Sequence, residues 1–149
     1  MKRKKYSGAG ILFVSERCGI DHVLLGCRKR SKIWSIPGGG KHHGETPWDT
    51  AIRETTEEFG VIPETWQRVF SIRVPLISVD WTTFVVRLKE FPDPSVFPNR
   101  HARDFGKEFC DAQWFPIKKP PPRVHYLLRP LFFLIKMQRL ISNLIRPIF

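Results

Sequence analysis

Residues 39–61 read GGKHHGETPWDTAIRETTEEFGV, and the fold and chemistry of the chain turn on this stretch. Its second half has a helical pattern. Thr46 is a cap with Pro47 at the first helical position, and Gly60 is a natural stop after Phe59. On a wheel of about 100° per residue, Glu57 and Glu58 fall about 60° to one side of Glu54 and about 40° to the other. Trp48, Ile52, Thr55 and Phe59 cluster about 100–160° away and form the stripe to be buried. Three carboxylates therefore share one edge of a short helix. Like charges at i, i+3 and i+4 destabilise a helix, and in its second half the dipole disfavours them as well. A solvated acidic face is the plain explanation. A divalent ion neutralising the cluster is the economical one, and all-oxygen ligands point to Mg²⁺ or Mn²⁺ rather than Zn²⁺.

What precedes the helix decides between these two. Trp34-Ser35-Ile36 is a short extended piece closed by Pro37-Gly38-Gly39-Gly40. Three glycines after a proline are expected to form a loop, not a strand, with a backbone able to approach a ligand closely. Ile11–Val14 and His22–Cys27 are apolar runs bounded by turn residues and read as strands. Gln67–Pro75 and Val79–Lys89 read as longer strands, rich in Val, Ile, Phe and Thr. Glu90–Lys107 carries three prolines and reads as loop. Trp114-Phe115 is a brief strand, and Leu131–Ile145 is a last helix. Strands before, between and after two helices predict a mixed α/β domain.

Gly39, Glu45, Arg53-Glu54, Glu57-Glu58 and Gly60-Val61 stand at the spacing G-x5-E-x7-R-E-U-x-E-E-x-G-U, where U is a bulky aliphatic residue. This resembles the Nudix box. The one departure is Thr55 at an aliphatic position, and its hydroxyl is expected to bond back to a carbonyl one turn earlier. The resemblance implies a single α/β domain over residues 1–149, a Nudix-type α/β/α sandwich around a mixed β-sheet. It implies Mg²⁺-dependent hydrolysis of a diphosphate bond in a nucleoside diphosphate linked to another moiety, such as a nucleoside triphosphate, ADP-ribose or a nucleotide sugar. Mn²⁺ can take the place of Mg²⁺. Glu54, Glu57 and Glu58 correspond to the metal-binding carboxylates, with the Gly38 carbonyl as a further ligand. Glu54, or Glu108 from outside the box, corresponds to the base that takes the proton of the attacking water. Glu45 and Arg53 look like the pair that orients loop and helix, with Gly39 in support. Every box glutamate is kept, which favours catalysis over a basic nucleotide- or RNA-binding module.

The substrate is less legible. Arg28 and Lys29 are candidates for phosphate contact, and Trp34 or Phe84 for stacking on a base. The tyrosine that dinucleoside-polyphosphate members tend to carry beyond the box is missing here. The chain also reads Pro37-Gly38-Gly39 where those members, and RNA 5′-pyrophosphohydrolases, tend to have Pro-Lys-Gly. Pro75 lies close to a proline associated with ADP-ribose-type members.

The composition excludes some classes and leaves one suggestion to be tested. A chain with 42% hydrophobic and 26% charged residues is neither disordered nor collagen-like. Its 25 Lys+Arg against 14 Asp+Glu give +11, a field that draws polyanions and leaves RNA open as a partner. Cys18, Cys27 and Cys110 have no zinc spacing and read as reduced thiols in a cytoplasmic protein. The basic tip, residues 1–7, is followed by too few apolar residues for a signal sequence. In the tail, residues 130–149, Lys136, Arg139, Asn143 and Arg146 share one stripe of an amphipathic helix. That helix is expected to close the fold, with contact to an anionic membrane surface or a homodimer partner as the alternatives.

Overall fold

The computed structural model describes residues 5–145, so the first four residues of the basic tip and Arg146 lie outside the described residues. The chain runs β1 (Tyr6–Arg17), β2 (Ile20–Arg28), β3 (Trp34–Ser35), β4 (Gly38–Gly40), α1 (Pro47–Phe59), β5 (Trp66–Pro75), β6 (Val79–Leu88), α2 (Phe105–Glu108), β7 (Phe109–Pro116) and α3 (Leu128–Ile145). The strands form one mixed sheet in the order β3-β2-β1-β6-β5, with β4 paired to β1 and β7 paired to β2. β1 and β6 run parallel, and every other pair is antiparallel.

β1 is the central element because both of its faces are covered. Ile11 and Phe13 point to the side of α1, where they pack with Phe59, Phe84, Phe97 and Phe109. Leu12 and Val14 point to the side of α3, against Leu128, Leu131, Phe132 and Ile135. A strand buried on both faces reads as an unbroken apolar run, which is how Ile11–Val14 reads. The result is an α/β/α sandwich. Cys18 (φ 50°) and Gly19 (φ 74°) make the two-residue turn of the β1–β2 hairpin, with Arg17 opposite Ile20. Two successive left-handed residues match the twist of paired strands.

The start of α1 follows from its first four residues. Thr46 Oγ1 accepts the Asp49 amide at 3.1 Å, and Asp49 Oδ2 accepts the Thr46 amide at 2.9 Å. This reciprocal capping box satisfies two donors that a helix leaves orphaned, and Pro47 occupies a position that needs no donor. Gly60, at φ 92°, ends the helix.

Three expectations need correction. Gly38–Gly40 is not a loop but strand β4, with Gly38, Gly39 and Gly40 opposite Gly10, Ala9 and Gly8 of β1. Glycine permits this strand because side chains would collide there, as described below. The late strand is eight residues, Phe109–Pro116, because its whole length pairs with β2. The Thr55 hydroxyl makes no backward bond. It is buried and has no partner among the described residues, while its neighbour Thr56 Oγ1 donates to Ile52 O at 2.8 Å.

α3 closes the fold through Leu128–Ile135, and then its polar stripe reaches inward. Arg139 donates to Asp21 Oδ1 at 2.7 Å and to Gly19 O at 2.9 Å, at the β1–β2 turn. Asp21 also takes Arg87 at 2.8 Å. Phe133, Leu134, Met137, Leu140, Ile141 and Leu144 remain exposed. No helix among the described residues is long and apolar enough to cross a membrane.

An unpartnered buried hydroxyl costs about 1–3 kcal/mol, and valine has nearly the shape of threonine. Thr55→Val should raise unfolding free energy by about 1 kcal/mol, read from the urea midpoint at unchanged slope. A lower midpoint would show that the hydroxyl is satisfied in solution.

Candidate active site

The site sits where β1 and β2 part. β2 pairs with β1 only at Val14–Arg17; towards its other end it turns to β3 at Gly26 and Cys27. β4 enters the gap this opens, against Gly8–Gly10, and α1 lies across it. A Cβ on Gly39 would lie 2.5 Å from the Glu54 carboxyl carbon, so a glycine there lets the carboxylate rest on bare backbone. The Gly38 amide donates to Glu58 Oε2 at 3.1 Å. The strand thus meets two of the three helix-edge carboxylates directly.

Arg53 organises the cluster. Its Nε donates to Glu45 Oε1 at 2.7 Å and its Nη2 to Glu45 Oε2 at 3.1 Å, a two-pronged pair. Nη2 also reaches Gly40 O at 2.9 Å, and Nη1 reaches Glu54 Oε1 at 2.6 Å. Such charge-assisted, paired bonds are among the strongest that side chains make. The Arg53 bonds, with the His42 amide, pull the Glu45 carboxyl down to about 2. Glu57 lies between Arg53 (3.5 Å) and Arg103 (3.1 Å).

Glu58 differs from the others. It is only 4% exposed, and burial pushes its carboxyl up to about 8, against the pull of Arg28 and the Gly38 amide. Arg28 Nη1 stands 3.8 Å from Glu58 and 3.3 Å from Glu108, and its Nη2 donates to Ile36 O at 3.2 Å. Its guanidinium lies 4.4 Å from the centre of the Phe109 ring. Among the described residues, no three His, Cys, Asp or Glu side chains stand close enough to enclose an ion. Each carboxylate instead faces a guanidinium. Nevertheless the donor chemistry suits a hard divalent cation: three carboxylates on one helix edge, one of them buried with its charge poorly compensated.

Arg28 also lines a cavity of about 340 Å³ on the α3 side of the sheet, with Ile36, Trp81, Thr83, His125 and Tyr126. Trp81 lies over Gly8, Gly10 and Gly38, where any Cβ would come within 2.7–3.1 Å of its ring. Its indole N–H is spent on Thr83 Oγ1 at 3.0 Å. His125 stacks on Tyr126 with ring centres 4.7 Å apart, and burial, then Arg28, lowers its pKa, which favours the neutral ring.

Of the residues singled out from the sequence, Gly38, Gly39, Glu45, Arg53, Glu54, Glu57, Glu58, Glu108 and Arg28 come together. Lys29 does not join them; its Nζ donates to Gly106 O at 3.0 Å, on α2. Trp34 packs edge-on against Phe115 at 4.8 Å and does not line the cavity. Phe84 is core, edge-on to Trp48. Trp81, His125 and Arg103 went unread. Trp81 and Thr83 alternate towards one face of β6, but the glycine floor beneath Trp81 is visible only once β1 and β6 are known to pair.

The NUDIX domain family matches residues 4–133, and the chain belongs to it. A Mycobacterium tuberculosis protein is 32% identical over 111 residues, covering 67% of this chain and 50% of that protein; its name proposes that it is an 8-oxo-dGTP diphosphatase. A Bifidobacterium longum protein, named a nucleoside triphosphate pyrophosphatase/Nudix hydrolase fusion protein, is 36% identical over 108 residues, covering 70% of this chain and 21% of that one. The chain therefore spans half or less of the length of these relatives. In fold it is similar to a Caenorhabditis elegans Ap4A hydrolase, with a TM-score of 0.68, 18% identity, and coverage of 93% of this chain and 98% of that one.

Glu45 gives the clamp a pH signature. Its folded pKa is depressed, so its stabilisation is present above the ordinary glutamate range and is lost as pH falls from about 4.5 to about 2. Thermal melts across that window should show this loss in the parent, and Glu45→Gln should lower stability at neutral pH while flattening the acid slope. Equal slopes in both proteins would mean that the Glu45–Arg53 pair is not formed in solution.

Proposed function

We propose that the chain hydrolyses a diphosphate bond in a nucleoside diphosphate linked to another moiety, with Mg²⁺ as cofactor and Mn²⁺ able to replace it. The observation that carries this reading is the meeting of Glu54 and Glu58 with the Gly38–Gly40 strand, with Glu57 held next to them by Arg53, beside a cavity of nucleoside size that shares Arg28 with Glu58. Glu54, Glu57, Glu58 and the Gly38 carbonyl would hold the cation. A divalent cation held there would supply Lewis-acid polarisation of the phosphoryl group and activation of the attacking water.

The chain's own residues do the rest. Arg53 holds Glu54 by Oε1, which leaves Oε2 to take the proton of the attacking water. Glu108, held by Arg28 at the rim, is the second candidate for that proton. Arg28 lies between cavity and carboxylates, where its fork can grip the phosphates of a bound nucleotide. Trp81 and Tyr126 offer ring faces to a base. Lining the cavity, Ser31, Ser35 and Thr83 offer hydroxyls, and no carboxylate stands among them. The names of the two relatives support nucleoside triphosphates, oxidised ones included; ADP-ribose and nucleotide sugars contain the same bond. The free thiols fit a cytoplasmic setting.

A panel of dNTPs, ADP-ribose, nucleotide sugars and 5′-triphosphate RNA, with and without Mg²⁺, tests the reading. Metal-dependent turnover of a small nucleotide is expected. Turnover of RNA alone would make the chain an RNA 5′-pyrophosphohydrolase, and binding without any turnover a nucleotide- or RNA-binding module. Glu57→Gln should stay folded and lose more than about 100-fold in kcat, since even outer-shell changes at metal sites cost about 10–100-fold. Trp81→Leu should raise KM about tenfold with kcat little changed, the loss of one stacked base. A fall confined to kcat would remove Trp81 from the binding site.

A further inference from the structure

Cys27 and Cys110 stand on adjacent strands at the one irregularity of the β2–β7 ladder. Cys27 pairs with Asp111 and Arg28 with Phe109, so Cys110 is the extra residue of a bulge between them. Its Sγ lies 3.5 Å from the Cys27 carbonyl, so the exposed thiol rests against the backbone of the other cysteine. The Lys32 ammonium reaches the same sulfur at 3.5 Å and keeps it beside the strand. Lys32 has a left-handed backbone (φ 57°) that closes its turn back to Arg28 O. Cys110 is exposed and Cys27 is 8% exposed. One thiol is therefore open to solvent and the other waits directly behind it. The third, Cys18, sits at the β1–β2 turn.

We propose that Cys27 and Cys110 are a peroxide-sensitive pair that closes to a reversible disulfide across the β2–β7 bulge. The Cys110 sulfur attacks a hydroperoxide; the O–O bond breaks, a sulfenic acid forms, and the leaving oxygen departs as water or alcohol once protonated. The Cys27 sulfur then attacks Cys110 Sγ, the S–O bond breaks, the S–S bond forms and a second water leaves. With hydrogen peroxide the balance is two thiols and one peroxide to one disulfide and two waters. Burial raises the pKa of Cys27, which suits it to the second step, on a sulfur already beside it, rather than to the first. The order of events follows from exposure: an accessible thiol oxidises first and a neighbouring thiol resolves it. The bond would tie the strand end preceding Arg28 to the one following Glu108, the two residues that make an ion pair at the rim of the site.

The test needs no substrate. The full chain is treated with about equimolar hydrogen peroxide, remaining thiols are alkylated under denaturing conditions, and digests are read by mass spectrometry without reduction. A linked Cys27–Cys110 peptide, 2 Da lighter than the two reduced peptides and released by dithiothreitol, is expected in the parent and in Cys18→Ser. Cys110→Ser should give no intramolecular disulfide. Cys27→Ala should leave Cys110 to accumulate as sulfenic acid, trapped by dimedone. Should Cys27→Ala not fold, sulfenic acid is sought on the parent at the earliest times. Linkage through Cys18, alkylation of Cys27 and Cys110 as free thiols, or direct passage of Cys110 to sulfinic acid would overturn the proposal.

Discussion

The guanidinium of Arg53 ties together the segment before α1, the helix itself and the glycine strand beneath it. It grips both oxygens of Glu45, the carbonyl of Gly40 and one oxygen of Glu54. Helix α1 carries three carboxylates within two turns, an arrangement that opposes its own formation. Arg53 offsets part of that repulsion from within the helix, with Arg103 and Arg28 doing so from outside it. The same contacts fix the height of Glu54 over Gly39. Taking Arg53 away would leave half-buried carboxylates facing each other, which costs more than losing a surface ion pair.

The second constraint is the sharing of the edge of β1. β2 takes one half of that edge and β4 the other, and the carboxylates lie over the half where the strand is built of glycine. Gly8, Gly10 and Gly38 let Trp81 lie flat on one side, while Gly39 lets Glu54 rest on the other. One short run of bare backbone thus separates the carboxylate cluster from the aromatic cavity. Arg28 passes between them at its end. The excess of positive charge finds part of its use here, because arginines hold the acidic cluster together.

Much of this was legible from the residues. The helix, its cap and its stop follow from Thr46-Pro47 and Gly60, where local chemistry decides the structure. The glutamate cluster follows from helical spacing, and the Glu45–Arg53 pair from the resemblance to the Nudix box. What could not be read is what depends on pairing between distant strands. Glycines at 38–40 signal flexibility, and only their contact with β1 and Glu54 makes them a strand. Trp34 reads as an available ring until Phe115 is seen packed on its edge. Trp81 reads as one more strand residue until its parallel partner proves to be glycine. A backward bond is within the chemistry of either threonine, and it is Thr56 that makes it, while the buried Thr55 hydroxyl has no partner among the described residues.

The central claim is that Glu54, Glu57 and Glu58 hold a divalent cation against β4. Paramagnetic broadening of backbone amide resonances by substoichiometric Mn²⁺ measures the place of binding without any reaction. The amides of Gly38–Gly40 and of residues 54–58 should broaden first, and excess Mg²⁺ should restore them. Broadening centred on another part of the chain, or none at these amides, would contradict the account.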